Sequence, residues 1–365
     1  MEIKLPTPQL QKTLDLASRI STKHVTLPVL QCVLIEAGKQ GIIIRSTNLE
    51  IGVEVTVVGE VVEEGQIAVP AQTLWQTIQL ITQPEVVLRV EDQVLVVEAK
   101  NTNTSIKAVP HDEFPIPHKL EGQSHQVQRS LFSLGIKTAA FAASQSSIKP
   151  ELGSIFIQQK KEHTLTFVAT DSFRLMEKTV PQKGLILEQP IMVPQKNALE
   201  LARLCDLLTA DPKLYVTDNQ CALAFPEGVY VISRLVTGSF PDYTQIIPKE
   251  YVSHVTVLKE DLQKAFKKTG VFLNKFRQVT IAITSDGLTV SAQNAEVGHV
   301  TDTVPASVEG ECELTLNFNQ QYVVDPLAHV SDESVVLHFA GLGRPLVMEG
   351  VRDGSLRYLV MPMNR

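Results

Sequence analysis

Three polar turns recur in this chain at one interval. STNLEIGVEV (46–55), ATDSFRLMEK (169–178) and AQNAEVGHVTD (292–302) place Asn48, Asp171 and Asn294 successively 123 residues apart. The same interval orders the rest of the sequence. A strand end running into a helix recurs at 67–81, 191–205 and 314–328, with Pro70 and Pro194 124 residues apart. Each of these helices is followed by alternating apolar strands, at 86–99, 213–225 and 334–349. Each repeat also opens on a helix, at 8–20, 128–143 and 259–273, with apolar residues at helical spacing such as Leu10, Leu14 and Ala17, or Leu262, Ala265 and Phe266. Five elements repeated in one order at one period define three homologous modules. Their strands are rich in Val and Ile and alternate with a period of two. Two helices per module suffice to cover one face of a sheet, so the expected class is α+β, each module packing two helices on antiparallel sheets. The proline-rich and polar stretches 111–125 and 239–253 mark the joins, which gives modules at 1–120, 121–247 and 248–365.

The repeats also bear on chemistry. Thr170, Asp171, Ser172 and Arg174 crowd a hydroxyl, a carboxylate, a second hydroxyl and a guanidinium into five positions, as a catalytic centre could. An Asn or Asp at the same place in three modules reads instead as a turn device, because these side chains bond nearby backbone N–H groups. A hydrolase using Asp171 with His163 or Arg174 is the rival reading, but no GxSxG or phosphate-binding loop accompanies it. The four cysteines, Cys32, Cys205, Cys221 and Cys312, are widely separated and are expected as reduced, buried thiols. None of the nine histidines has metal-ligand spacing, so no metal and no cofactor is expected. No apolar run approaches the ~20 residues of a membrane span, and MEIKLPTPQLQ lacks the apolar core of a signal peptide, which points to a cytoplasmic protein without membrane contact.

The net charge of −7 conceals a segregation. Residues 10–24, 127–149 and 258–277, the first helix of each repeat with its flanks, carry +2, +3 and +4. The other 307 residues therefore carry −16. Solvated helix faces carry such charge in many proteins. It is also what a basic channel in an acidic body requires, and duplex DNA presents one negative charge per ~1.7 Å.

Four stretches, TLPVLQCVLIEA (26–37), ATDSFRL (169–175), FPDYTQIIP (240–248) and the terminal YLVMPMNR (358–365), closely resemble the bacterial DNA polymerase III beta subunit family, the sliding clamps. The resemblance covers the whole chain. It implies a non-enzymatic head-to-tail homodimer whose six modules form a ring around double-stranded DNA, helices inward and sheets outward, without sequence preference. It implies partners: a clamp loader complex, the DNA polymerase III alpha subunit, other polymerases, ligase and mismatch-repair proteins, the enzymes docking through short peptide motifs. The docking pocket, between the second and third modules, would be lined by Leu152, Thr170, Ser172, Phe173, Arg174, Leu175, Pro241, Gln245, Ile246, Phe276, Tyr322, Val360, Met361, Pro362 and Met363. A terminal LVMPM fits this independently, being apolar where chain ends are usually polar and frayed. The DNA-facing positions would be Lys12, Arg19, Lys23, His24, Arg129, Lys137, Gln145, Lys149, Lys264, Lys267 and Lys268. The dimer contact would pair Thr104 and Ile106 with Val271 and Phe272. Departures from the family pattern are Ser172-Phe173 in place of Gly-His, His24 in place of arginine, Thr104 in place of a large apolar residue, a shorter loop before Lys275, and an Asn364-Arg365 ending. A three-module scaffold with this fold that never encircles DNA is the second rival.

Overall fold

The structure is a computed structural model that describes residues 1–21, 27–100, 102–285 and 287–363. The first third contains β1 (Glu2–Pro6), α1 (Thr7–Ile20), β2 (Cys32–Gly38), β3 (Gly41–Thr47), β4 (Ile51–Val57), β5 (Glu60–Glu63), β6 (Gly65–Pro70), α2 (Ala71–Gln79), β7 (Glu85–Glu91), β8 (Val94–Ala99) and β9 (Thr102–Lys107). The second contains β10 (Ser124–Gln126), α3 (Arg129–Ala140), β11 (Ser154–Gln158), β12 (Thr164–Thr170), β13 (Arg174–Pro181), β14 (Ile191–Pro194), α4 (Gln195–Leu207), β15 (Lys213–Val216), β16 (Gln220–Phe225) and β17 (Val229–Arg234). The last contains β18 (Ser253–Leu258), α5 (Lys259–Thr269), β19 (Gln278–Thr284), β20 (Gly287–Asn294), β21 (Gly298–Val304), β22 (Ala306–Gly310), β23 (Thr315–Asn319), α6 (Gln320–Val324), β24 (Ser334–Phe339), β25 (Leu346–Gly350) and β26 (Leu356–Val360).

Local chemistry accounts for these elements. Helix α1 carries Pro8 in its first turn, where a missing N–H costs nothing, and buries Leu10, Leu14 and Ala17. Helix α5 has Glu260 and Asp261 in its first turn and Lys267 and Lys268 in its last, each matching the helix dipole, and buries Leu262, Ala265 and Phe266. Strands β19 and β24 alternate buried and half-buried residues throughout, as strands with one face on the core must.

The chain forms two compact units, Met1–Ser130 with Glu200–Leu235, and Leu131–Leu199 with Val236–Arg365. The second third thus contributes to both. In the first unit, a five-stranded sheet runs β5-β1-β7-β8-β9 and an eight-stranded sheet runs β10-β15-β16-β17-β4-β3-β2-β6. In the second unit, a nine-stranded sheet runs β14-β11-β12-β13-β26-β25-β24-β18-β22 and a four-stranded sheet runs β21-β20-β19-β23. Each large sheet is therefore shared by consecutive thirds. β17 pairs antiparallel with β4, Ser233 opposite Ile51, and β26 pairs antiparallel with β13, Val360 opposite Arg174.

One expectation needs correction. Cys32, Cys205 and Cys221 are buried, and burial pushes the thiols of Cys32 and Cys221 up to about 11 and about 12. Cys312 is exposed, because it lies in the irregular connection between β22 and β23 rather than on a core-facing strand position.

Candidate functional site

The turn between β12 and β13 is built as its residue types suggest. The Asp171 Oδ1 accepts from the backbone N–H groups of Phe173 (2.9 Å) and Arg174 (3.0 Å). The Thr170 hydroxyl donates to the Arg174 carbonyl (2.7 Å) and accepts from the Ser172 N–H (3.1 Å). Between them Ser172 takes a left-handed φ of 77°. The β3–β4 turn repeats this arrangement. Asn48 Oδ1 accepts from Glu50 and Ile51, Thr47 bonds Leu49 and Ile51, and Leu49 has φ 76°. In the third repeat Asn294 pairs across directly with Gly298, and its side chain accepts from the Glu296 N–H and donates to the Leu273 carbonyl. Asp171 is a structural residue here.

Arg174 is held from every side within the second unit. Its Nε donates to Asp171 Oδ2 (3.0 Å) and its Nη1 to Asp325 Oδ2 (2.7 Å). Its guanidinium lies over the Tyr322 ring at 4.3 Å and the Phe141 ring at 5.4 Å. Burial opposes the charge, but Tyr358, Asp325 and Asp171 outweigh it, and the pKa stands above its ordinary value. Tyr358 is fully buried beside it, its hydroxyl donating to the Tyr322 carbonyl (2.6 Å), and burial drives its pKa far upward. Arg174 therefore supports the site rather than reaching out of it.

The chain end closes over this support. The Met361 N–H donates to the Phe173 carbonyl (2.8 Å), and the Met363 N–H donates to the Asn317 carbonyl (2.7 Å). The last residues are thereby pinned between the β12–β13 turn and β23. Several large apolar residues expected at this site are exposed: Phe173 by 61%, Phe276 by 57%, Ile246 by 47% and Met361 by 36%. Ser172, Pro241 and Gln245 are exposed, and Tyr322, Pro362 and Met363 are half-buried. Gln245 bonds Asp242 (2.8 Å) at the short helical turn Tyr243–Ile246. Tyr243 anchors that turn in a cluster with Val168, Leu175 and Leu359. Phe276 is tied to α6 through Arg277, whose carbonyl accepts from the Gln320 N–H (2.8 Å). Thr170, Leu175 and Val360 form the buried base. Leu152 is also buried, in the loop where its carbonyl accepts from Ser144. Sequence reasoning missed Asp325 and Phe141, which complete the Arg174 setting. Both lie inside segments marked by the repeat, 128–143 and 314–328, but nothing in their spacing points to Arg174.

The basic positions divide. Lys12, Lys137, Lys149 and Lys267 are exposed. Arg19 is exposed and 3.5 Å from Asp15. Lys264 pairs with Glu260 (2.8 Å), and Lys268 with Asp302 (2.8 Å). Gln145 is exposed and donates to Gln195. Arg129 donates to the Cys205 and Thr209 carbonyls at the end of α4, both at 3.0 Å, so those donors are engaged within the fold. Lys23 and His24 lie outside the described residues, as do Asn364 and Arg365. Thr104 and Ile106 lie on β9, an edge strand, with Ile106 buried and Thr104 half-buried. Val271 is 67% exposed, and Phe272 lies against Gly298 at the start of the edge strand β21.

The chain is built of repeated α+β modules whose sheets are shared between consecutive thirds. Comparison with known proteins agrees. The DNA polymerase III beta subunit models match in series, the N-terminal domain over residues 1–118, the central domain over 126–242 and the C-terminal domain over 244–364. A beta sliding clamp from Pseudomonas putida strain KT2440 is 27% identical over 372 residues, covering all of both chains. The crystal structure of a DNA polymerase III beta subunit from Thermotoga maritima superposes with a TM-score of 0.94 at 25% identity, covering 100% of this chain and 99% of that one. The beta subunit from Pseudomonas aeruginosa gives 0.94 at 26% identity, with full coverage of both. The chain belongs to the DNA polymerase III beta subunit family, the sliding clamps, which are non-catalytic processivity factors of DNA replication.

Proposed function

We propose that this chain closes as a head-to-tail homodimer around duplex DNA and tethers DNA polymerases through the apolar patch at Phe173, Phe276 and Met361. The observation that carries the reading is the sheet topology. The fourth strand of the first third (β4) pairs with the last strand of the second (β17), and the fourth strand of the second (β13) pairs with the last strand of the third (β26). Applied once more, the rule matches β21 of one chain with β9 of another. Both are edge strands with an open side, and Thr104, Ile106, Val271 and Phe272 lie on or beside them. Two chains would then give six modules, with domains at 1–120, 121–247 and 248–365.

In that ring Lys12, Arg19, Lys23, His24, Lys137, Gln145, Lys149, Lys264, Lys267 and Lys268 face DNA, Arg129 acting only through the charge it adds. Few close phosphate contacts give weak, sequence-independent and salt-sensitive holding, which suits movement along the duplex. The patch takes an extended peptide with one Gln and a few apolar residues. Two anchors at ~1.5–3 kcal/mol each, less the cost of ordering a tail, correspond to micromolar exchange. Its users are the polymerase III alpha subunit, other polymerases, ligase and mismatch-repair proteins, with a loader complex opening the ring in the cytoplasm. No helix among the described residues is long and apolar enough to cross a membrane.

The test is the mass in solution by light scattering, from about 0.1 to about 50 μM, together with retention on circular and on linearised DNA. Twice 40.2 kDa and loss from DNA on linearisation are expected. A monomer throughout that is not retained on circles even with a loader would overturn the ring.

A further inference from the structure

The outward face of the nine-stranded sheet holds a histidine pair outside the docking patch. His254 on β18 and His338 on β24 are directly opposite each other, and their Nδ1 atoms are 2.7 Å apart. Both rings are half-buried. Tyr251 packs against both, with ring centroids at 5.7 and 5.1 Å. On the far side of His338, Nε2 lies 3.7 Å from Glu349 Oε2, and the other oxygen of Glu349 accepts from Arg357 Nε (2.6 Å). Glu309 on β22 is the cross-strand neighbour of His254 on its other side.

The carboxylate behind His338 favours the ring proton on Nε2. That leaves the Nδ1 lone pair aimed at His254. A carboxylate that orients an imidazole from behind is the usual support of a metal-binding histidine. Two cross-strand imidazoles with facing lone pairs form a chelate for a late first-row divalent ion, since imidazole suits zinc, nickel and copper. Metal–nitrogen distances of about 2.0–2.1 Å put the two nitrogens roughly 3 Å apart, and both rings must turn so that their lone pairs converge on the ion rather than on each other, a movement within reach of half-buried side chains. Binding costs one proton move, from Nδ1 to Nε2 of His254. Among the described residues no third His, Cys, Asp or Glu converges on the pair, so water completes the coordination.

We propose that His254 and His338 form a two-histidine surface site for zinc, nickel or copper(II), held by Nδ1 of each ring. The test uses untagged full-length chain in a Cys312→Ser background, which removes the exposed thiol as a competing ligand. Calorimetry with Zn²⁺ is expected to show one site per chain, weakened at least about tenfold by His254→Gln or His338→Gln and several-fold by Glu349→Gln. With Cu²⁺, electron paramagnetic resonance is expected to show nitrogen hyperfine structure that disappears in the double His→Gln variant. Zn²⁺ is expected to raise the melting temperature of the parent and not of that folded double variant. Equal binding by parent and double variant, or no binding by the parent, overturns the site and leaves the pair as a histidine–histidine hydrogen bond.

Discussion

The backbone N–H of Met361 donates to the Phe173 carbonyl at 2.8 Å. The repeat-related bond joins Arg234 to Glu50, also at 2.8 Å. The same ladder step therefore presents a Met and a Phe at one junction and an Arg and a Glu at the other. Two junctions with one backbone design carry different side chains, and the Arg234 junction has apolar groups of its own in Leu49, Ile116 and Pro117. Phe173→Ala or deletion of Met361–Arg365 is expected to weaken a Gln-containing peptide with Leu and Phe anchors by tenfold or more. Met363→Ala should cost about 3–10-fold, since the half-buried Met363 side chain would lose ~1 kcal/mol of apolar contact with a bound peptide. Fluorescence anisotropy reads the affinity, and circular dichroism should show an unchanged fold. Unchanged affinity in all three variants would remove the patch from the docking surface.

Arg174 and Asp171 separate support from chemistry. Arg174→Ala leaves Asp171 and Asp325 facing each other without their shared cation and opens the space beside Tyr322. A loss of about 2–4 kcal/mol is expected in chemical denaturation. Asp171→Asn keeps the oxygen that accepts from the Phe173 and Arg174 N–H groups but puts an NH2 where Oδ2 accepted from Arg174 Nε, so that bond is lost with the charge. It should cost about 1.5–3 kcal/mol and leave DNA tethering intact.

The edge contact can be weakened without touching the core. Val271 is 67% exposed, so Val271→Glu should leave the melting temperature of the monomer unchanged. Placed against the partner's β9, it should raise the dimer dissociation constant at least tenfold, because a charge in the core of an interface is disfavoured. Thr104→Leu should act in the opposite direction. Sedimentation of both variants checks this.

Acid stability should depend on Asp353. Burial alone would raise its carboxyl, but hydrogen bonds from Ser355 and Lys178 outweigh burial and bring it to about 2. A folded pKa below the unfolded value near ~3.9 gives stabilisation that is complete above about pH 4 and is lost as pH falls toward 2. Asp353→Asn is expected to melt earlier near neutrality and to show a shallower decline in melting temperature between about pH 4 and pH 2.5. Parallel curves for the two proteins would contradict the assignment.

The repeat was legible in the sequence because it rests on local chemistry. Thr47-Asn48 and Thr170-Asp171 make the same turn with the same bonds, and apolar spacing marks the helices. What escaped was long-range pairing. β9 (TNTSIK) and β21 (GHVTDTV) are more polar and more exposed than β4 (IGVEVTV) and β17 (VYVISR), as edge strands tend to be, but that polarity does not say which strand pairs with which. Arg129 read as one more basic residue because its acceptors, Cys205 and Thr209, are distant in sequence. Cys312 read as core from its residue type, though its connection faces solvent. His254 and His338 are 84 residues apart, and only strand pairing brings their rings together.

The open edges β9 and β21 set the terms on which such an assembly can be entered. Each chain has one of each, so any open string of chains ends in two unsatisfied rows of backbone donors and acceptors, and only closure removes both. In the proposed ring, one junction would have to part to admit a duplex, and the backbone groups uncovered there would have to be hydrated or shielded while it stays apart. Whatever holds the gap open works against the pull of those strands to rejoin. In that ring, re-pairing of the exposed edges would itself favour shutting behind the DNA.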